Sequence, residues 1–280
     1  MSAPKREFVK VEKQDGIAWT YLNRPHKKNA MSPGLHLEMH ATLDELEADP
    51  ETKVVVIAGA DGVFSAGQDL KEYFRDLDEN PAEAKRIRGI SNRWQWDRLY
   101  MFDKPTIAMV EGFCVGGAFT HMLATDFAIA CEDTTFSLSE VNWGILPGGM
   151  VSKALADAVP LRQALYYACL GDPFDGKEAA RIGLITYAVP KELIREEVTK
   201  LAHKLMSKSP AALRATKQVI RQVRQMDFGQ AADYMQVKKD AIRVSDPENS
   251  YNTGLQQFID EKSYKPVYAP FKKRDEREKG

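Results

Sequence analysis

The sequence predicts an α/β fold that turns wholly helical over its last third. Short apolar runs of strand length recur through the first 190 residues, and each is followed by a turn and a helix-like pattern. Beyond about Pro190 the strand signal stops and mixed-charge helical periodicity takes over.

The elements follow in order. Gly16–Leu22 (GIAWTYL) reads as a strand, closed by the turn-forming Asn23, Arg24 and Pro25. Ser32 and Pro33 supply an N-cap and a proline at the first helical position, and Leu35, Met39, Leu43 and Leu46 then recur at helical spacing. Val54–Ile57 and Thr106–Val110 are uninterrupted apolar runs of the kind that lie inside a parallel sheet. Helical patterns then cover 192–206, 211–225 and 229–243 with no Gly/Ser linker before them. We therefore expect a core over residues 1–205 and a C-terminal helical region over 206–280, packed on that core or on a neighbouring subunit, with the charged 272–280 stretch frayed.

Composition bounds the function. The 280 residues carry 39 Lys and Arg against 40 Asp and Glu, which leaves no net field to attract nucleic acid. No apolar stretch has the length of a bilayer span, and the polar start lacks the apolar core of a secretion signal, so a cytoplasmic setting is expected. Cys114, Cys131 and Cys169 are odd in number, far apart and set in apolar segments, which reads as reduced core thiols.

Three segments can carry chemistry. In Phe64–Leu70 (FSAGQDL) a small-residue turn opens a helix-like run containing Tyr73, and the main-chain amides of such a turn are unhindered donors. In Glu111–Thr120 (EGFCVGGAFT) three glycines between a strand and a helix let another group approach the main chain. Two amide-presenting turns in one chain suit an oxyanion hole for a thioester enolate. The third segment, Phe136–Gly149 (FSLSEVNWGILPGG), sets Glu140 among Leu138, Val141 and Trp143, where desolvation raises a carboxyl pKa and suits it to give and take a proton. Each segment also has a plain reading: turn chemistry, tight strand-to-helix packing, or a solvated acid.

Together, in one register, NRPHKKNAM, SAGQDLKEY, KPTIAMVEGFCVGGAF and FSLSEVNWGILPGG resemble the crotonase (enoyl-CoA hydratase/isomerase) superfamily over residues 8–262. The resemblance implies a crotonase-type spiral of ββα repeats, homotrimers or dimers of trimers joined through the C-terminal helices, and an acyl-CoA thioester substrate that brings coenzyme A with it. No other cofactor and no metal is implied, since polarisation falls to main-chain donors. By position, the amides of Gln68 and Gly117 match the hole, and Lys28, Ala30, Ala66, Gly67, Asp69 and Leu70 match the coenzyme A groove, with Phe258 and Lys262 matching groups that cover its adenine end. Where two-glutamate hydratases carry a first acid this chain has Thr120, so Glu140 serves alone. That departure, with Tyr73, resembles the branch that hydrates hydroxycinnamoyl thioesters and then cleaves them to an aromatic aldehyde and acetyl-CoA. Tyr73, Thr120 and Trp143 then line the acyl pocket, and Gln236 stands where that branch has a phenol-reading tyrosine.

Other readings weigh less. Gly171–Lys177 has phosphate-loop spacing, but Glu178 replaces the metal-binding hydroxyl and the segment reads as a turn opening a helix. His36 and His40 share a helical face without a third ligand, which suits a surface or half-buried pair. His121 reads as a packing group, and Arg24, His26, Lys27 and Lys28 as a solvated basic loop able to screen phosphates. Two functional alternatives stay open: a single-glutamate hydratase or isomerase that does not cleave, and a non-catalytic scaffold of the same fold.

Overall fold

The computed structural model describes residues 6–273, so all but the first two residues of the charged 272–280 stretch lie outside the described residues, as do the first five. A break after Ala202 divides the chain into two compact units.

The first unit is built on β1 (Val9–Gln14), β2 (Ile17–Leu22), β3 (Val54–Gly59), β4 (Thr106–Val110), β5 (Phe113–Val115), β6 (Phe127–Cys131), β7 (Thr135–Ser137) and β8 (Tyr187–Val189). Among the described residues, six of these form one sheet in the order β1-β2-β3-β4-β6-β8, and β5 and β7 form a separate parallel pair. β1 and β2 are an antiparallel hairpin whose two turn residues, Asp15 and Gly16, both have positive φ, and β2 to β8 run parallel. Every residue of β3 and β4 is buried, which is why both read as unbroken apolar runs rather than as alternating patterns.

The helix Pro33–Ala48 starts where the cap signal places it: Ser32 Oγ accepts the Leu35 N–H at 3.3 Å, and Leu35, Met39, Leu43 and Leu46 are all buried. The helix Pro81–Asn92 lies between β3 and β4 in the chain, Ala118–Ala124 lies between β5 and β6, and the 3-10 turn Ser139–Trp143 follows β7. Asp175 caps the helix Gly176–Arg181, so the glycine-rich 171–177 stretch is a turn opening a helix. Strands β1, β5, β6, β7 and β8 had no clear signature, since most are three to five residues long or lack alternation.

The second unit is helical. Ser209 caps Pro210–Val223, an Asp227/Gln230 capping box opens Phe228–Ser245, and Ser250–Leu255 follows. Ser250 Oγ donates to Ser209 Oγ at 2.9 Å in a buried contact that ties the last helix to the start of the first. Phe228–Ser245 buries none of its residues, and Phe228, Val237 and Val244 are left open to solvent.

Cys169 and Arg24 both depart from the sequence expectation. Cys169 is exposed, because it lies on the outer side of the helix Leu161–Leu170, while Cys114 and Cys131 are buried as expected. Arg24 is not a solvated loop residue but is buried, for the reason given below.

Candidate active site

The two glycine-bearing turns meet. Gly67 has φ +88°, a conformation that glycine adopts without a Cβ penalty, and a Cβ there would lie 2.6 Å from Val115 O and 3.3 Å from Gly117 N. The Ala66–Gln68 backbone therefore runs against the Val115–Gly117 backbone with no room for a side chain between them. Main-chain bonds fix this crossing: Ser65 N–H donates to Phe113 O at 2.9 Å and Val115 N–H donates to Ser65 O at 3.1 Å. On the other side Met31 N–H donates to Gly67 O at 2.8 Å and Asp69 N–H donates to Met31 O at 3.0 Å. In that parallel bridge Gln68 is the unbonded residue opposite Met31, so its own N–H points away from Met31. Among the described residues no acceptor takes the N–H of Gln68 or of Gly117. Two unsatisfied donors on abutting turns can hold one oxygen in common.

Glu140 faces the same place. A Cβ on Gly116, whose φ is +54°, would lie 3.2 Å from Glu140 Oε1, so the carboxyl rests against the residue preceding one of the two amides. The 3-10 turn Ser139–Trp143 presents it there, and Gly116 N–H donates to Ser137 O at 3.0 Å, tying that turn's approach strand to the glycine loop. Glu140 Oε2 is buried without a hydrogen-bond partner, and burial raises the carboxyl pKa above its ordinary value. An acid held so is poised to exchange a proton rather than to form an ion pair.

A third segment braces the first turn. Arg24 Nη1 donates to Asp69 Oδ2 at 3.0 Å and to Ala30 O at 2.7 Å, and Arg24 Nη2 donates to Glu72 Oε1 at 2.6 Å. Asp69 Oδ1 also accepts the Lys71 and Glu72 amides, capping the helical segment Leu70–Arg75. Burial acts to raise the Asp69 pKa, but the Glu72 amide and Arg24 outweigh it and hold the carboxyl below its usual range. Buried Asn29 adds a second brace: its side chain donates to Ala60 O at 2.9 Å and to Val63 O at 2.6 Å and accepts the Arg24 N–H at 2.8 Å. Lys28 lies beside these groups with its Nζ 4.9 Å from the centre of the Phe113 ring.

Comparison with known proteins places the chain in a family. The enoyl-CoA hydratase/isomerase family matches residues 12–268. The chain belongs to the enoyl-CoA hydratase/isomerase family. It is 47% identical over 266 residues to a hydroxycinnamoyl-CoA hydratase-lyase of Pseudomonas fluorescens, covering 95% of this chain and 96% of that one. A putative enoyl-CoA hydratase of Thermus thermophilus is 33% identical over 213 residues, 76% of this chain and 83% of that one. The crystal structure of an enoyl-CoA hydratase from Bacillus anthracis superposes with a TM-score of 0.82 at 25% identity, covering 91% of this chain and 97% of that chain, so the fold is of the crotonase type.

In this enoyl-CoA hydratase/isomerase chain the remaining expected residues divide. Tyr73 is buried beside the site, with its ring centre 5.0 Å from that of His36, and burial raises its phenol pKa. Thr120 is buried in the helix that follows Gly117. Ala66, Gly67, Leu70, Lys28 and Ala30 lie along the two turns, with Ala66 N–H donating to Lys28 O at 2.9 Å. Trp143, expected to line the acyl pocket, is 65% exposed at the end of its 3-10 turn, which left-handed Gly144 closes. Gln236, Phe258 and Lys262 belong to the second unit; Gln236 Nε2 donates to Asp240 Oδ2 at 2.8 Å and Phe258 is exposed.

Of the residues that organise this family member's site, Asn29 has no signal in the sequence, and Arg24 and His36 have one that points to the surface. Arg24 and Asn29 lie within the NRPHKKNAM segment but carry no local sign of burial; the positive φ of Lys28 and Asn29 is what folds them inward. His36, expected at the surface or half-buried, is fully buried, because Gln68 and Trp94 satisfy both its ring nitrogens at 2.8 and 2.9 Å. His121 is fully buried and stacked 5.1 Å from Phe64, and burial carries its pKa down to about 3, so it is a neutral packing group in the described residues.

Proposed function

We propose that the chain hydrates an aromatic trans-enoyl-CoA of the feruloyl or 4-coumaroyl type and then cleaves the adduct to an aromatic aldehyde and acetyl-CoA. Three features support this reading: the Gly67 turn packs against Val115–Gly117, nothing among the described residues accepts the Gln68 or Gly117 N–H, and the desolvated Glu140 carboxyl lies against Gly116, with a threonine at position 120 in place of a second acid. The 47% identity with a hydratase-lyase over nearly its whole length supports the cleavage step in particular.

The chemistry follows from those positions. The thioester oxygen lies between the Gln68 and Gly117 amides, which withdraws charge from the conjugated double bond. Glu140 as carboxylate takes a proton from water, the hydroxide oxygen bonds to the β-carbon, and the double-bond pair moves onto the thioester oxygen as an enolate. The amides hold that charge, and protonated Glu140 returns its proton to the α-carbon. For cleavage Glu140 takes the proton of the new β-hydroxyl, the oxygen pair forms the aldehyde carbonyl, and the bond between the α- and β-carbons breaks. Its electrons pass to the same thioester oxygen, and Glu140 then protonates the acetyl-CoA enolate. One donor pair and one acid therefore serve both halves.

The groove beside Lys28, Ala30, Ala66 and Leu70 takes coenzyme A, with Tyr73, Thr120 and Trp143 on the acyl side and Gln236, Phe258 and Lys262 supplied by the C-terminal region of a neighbouring copy. The uncovered apolar side chains of Phe228–Ser245 support a homotrimer, alone or doubled, and no helix among the described residues is long and apolar enough to cross a membrane, which is compatible with a cytoplasmic enzyme. Feruloyl-CoA and crotonyl-CoA separate the readings. Release of vanillin and acetyl-CoA from the first supports the hydratase-lyase, and hydration of both without cleavage overturns it in favour of a plain hydratase. Binding of both thioesters with turnover of neither would instead leave only a binding scaffold.

A further inference from the structure

The side chain of Gln68 sits as close to the site as its main chain does. A Cβ on Gly117 would lie 3.2 Å from Gln68 Nε2. With standard bond lengths this keeps Nε2 within about 6 Å of the Gly117 nitrogen, a gap that one oxygen accepting two bonds of about 2.9 Å can span.

Which end of the amide faces the site is decided elsewhere. Trp94 Nε1 is a donor only, and it donates to His36 Nδ1 at 2.9 Å, so that nitrogen is the imidazole's acceptor. The proton must then be on Nε2, which lies 2.8 Å from Gln68 Oε1 and donates to it. Ser91 Oγ is 3.5 Å from the same Nε2, against 2.8 Å for Gln68 Oε1, so the imidazole proton goes to Gln68. His36 is fully buried, and burial lowers its pKa to about 4, so this tautomer persists across neutral pH. The chain Trp94 to His36 to Gln68 thus runs in one direction and leaves the Gln68 NH₂ group pointing at the glycine turn.

We propose that the Gln68 side-chain amide is a third hydrogen-bond donor to the thioester enolate, with His36 and Trp94 as positioning residues that hold its nitrogen toward the site. The proposal rests on the oxyanion reading above and adds to it a side-chain donor beside two main-chain ones. It also makes position 68 a determinant of how far the bound thioester ionises, which the main-chain amide alone would leave independent of residue type.

Acetoacetyl-CoA tests this without requiring turnover of any acyl substrate, because its enolate absorbs in the ultraviolet and its ionisation on the protein can be titrated. The wild-type chain is expected to lower the apparent pKa of the bound probe. Gln68→Met, which keeps the main-chain amide and the side-chain volume, is expected to raise that value by about one unit, equivalent to a tenfold loss of ionisation. His36→Phe is expected to give most of the same change, and the double variant no more than Gln68→Met, since His36 acts only through Gln68. Gln68→Glu can still accept from His36 but puts an oxygen where Nε2 was, so it should ionise the probe least; it carries the test if the Met variant does not fold. A wild-type chain that leaves the probe's ionisation unchanged overturns the oxyanion reading and this proposal with it. A wild-type effect that persists in full in Gln68→Met and Gln68→Glu overturns the third donor alone.

Discussion

Gly67→Ala tests the contact on which the site depends. Residue 67 has φ +88°, so any Cβ costs about 1–2 kcal/mol before packing is considered. The new methyl would start 2.6 Å from Val115 O, and that carbonyl belongs to the backbone and cannot rotate aside. Reaching ordinary contact takes a separation of roughly 0.8 Å between the turns, and the combined strain should lower stability by about 2–4 kcal/mol. The same movement parts the Gln68 and Gly117 amides. Misplacement on the order of 1 Å at a reacting centre costs about 10²-fold in rate. A urea titration gives the first quantity, and turnover of feruloyl-CoA under conditions where the variant remains folded gives the second. If folded Gly67→Ala keeps turnover within about threefold of wild type, the amides of these two turns do not act on one oxygen. Gly89→Ala is the control: a Cβ there meets nothing within 4 Å, it lies inside the helix Pro81–Asn92, and it should stabilise by about 0.5–1 kcal/mol with turnover unchanged.

Glu140→Gln should lower the rates of hydration and cleavage alike, by about 10²–10⁴-fold, with little change in KM, as read from initial rates on feruloyl-CoA. Because burial raises the Glu140 pKa, the acidic limb of the wild-type kcat/KM profile should lie above the ordinary glutamate value of about 4.3. This acid binds its proton more tightly folded than unfolded, so it should make stability fall as pH rises through that window; a Glu140→Gln variant measured by urea midpoints should lack the fall. Arg24→Ala leaves Asp69 buried and unpaired and should cost about 3–5 kcal/mol, with Arg24→Lys recovering only part, since one ammonium cannot reach Asp69, Glu72 and Ala30 O together. His36 and His121, neutral when folded with pKa values of about 4 and about 3, should each take up a proton only on unfolding, so stability should fall as pH drops below about 6.5, by up to about 1.4 kcal/mol per pH unit for each. Urea midpoints between pH 7 and 5 give that slope, and His36→Leu should make it shallower.

What the sequence made legible was whatever had a local cause. The Ser32–Pro33 start with Leu35, Met39, Leu43 and Leu46 behind it, the apolar runs of β3 and β4, and the helical tail all rest on spacing within one element. The three chemical segments were visible because glycine clusters and an acid in an apolar run are rare combinations, and their meeting followed from the family's register. What stayed hidden was made by contacts across the chain. Arg24 is buried only because Asp69 and Glu72, more than forty positions away, receive it. His36 is buried only because Gln68 and Trp94 satisfy it from 32 and 58 positions away. Trp143 stands close to Glu140 in sequence, yet its exposure is set by the end of the 3-10 turn that Gly144 closes. Polar residues of this kind have no burial signature of their own, since their place is decided by partners that periodicity does not identify.

On this mechanism one carboxyl, working under two main-chain donors, protonates the α-carbon twice in each full turnover. Running the reaction on feruloyl-CoA in deuterium oxide and weighing the acetyl-CoA released tests this directly. The acetyl group should carry two solvent deuterons, one from hydration and one from cleavage, and Glu140→Gln should release acetyl-CoA at least about 10²-fold more slowly than the wild type. Acetyl-CoA formed without solvent label, or formed by Glu140→Gln at the wild-type rate, would contradict it.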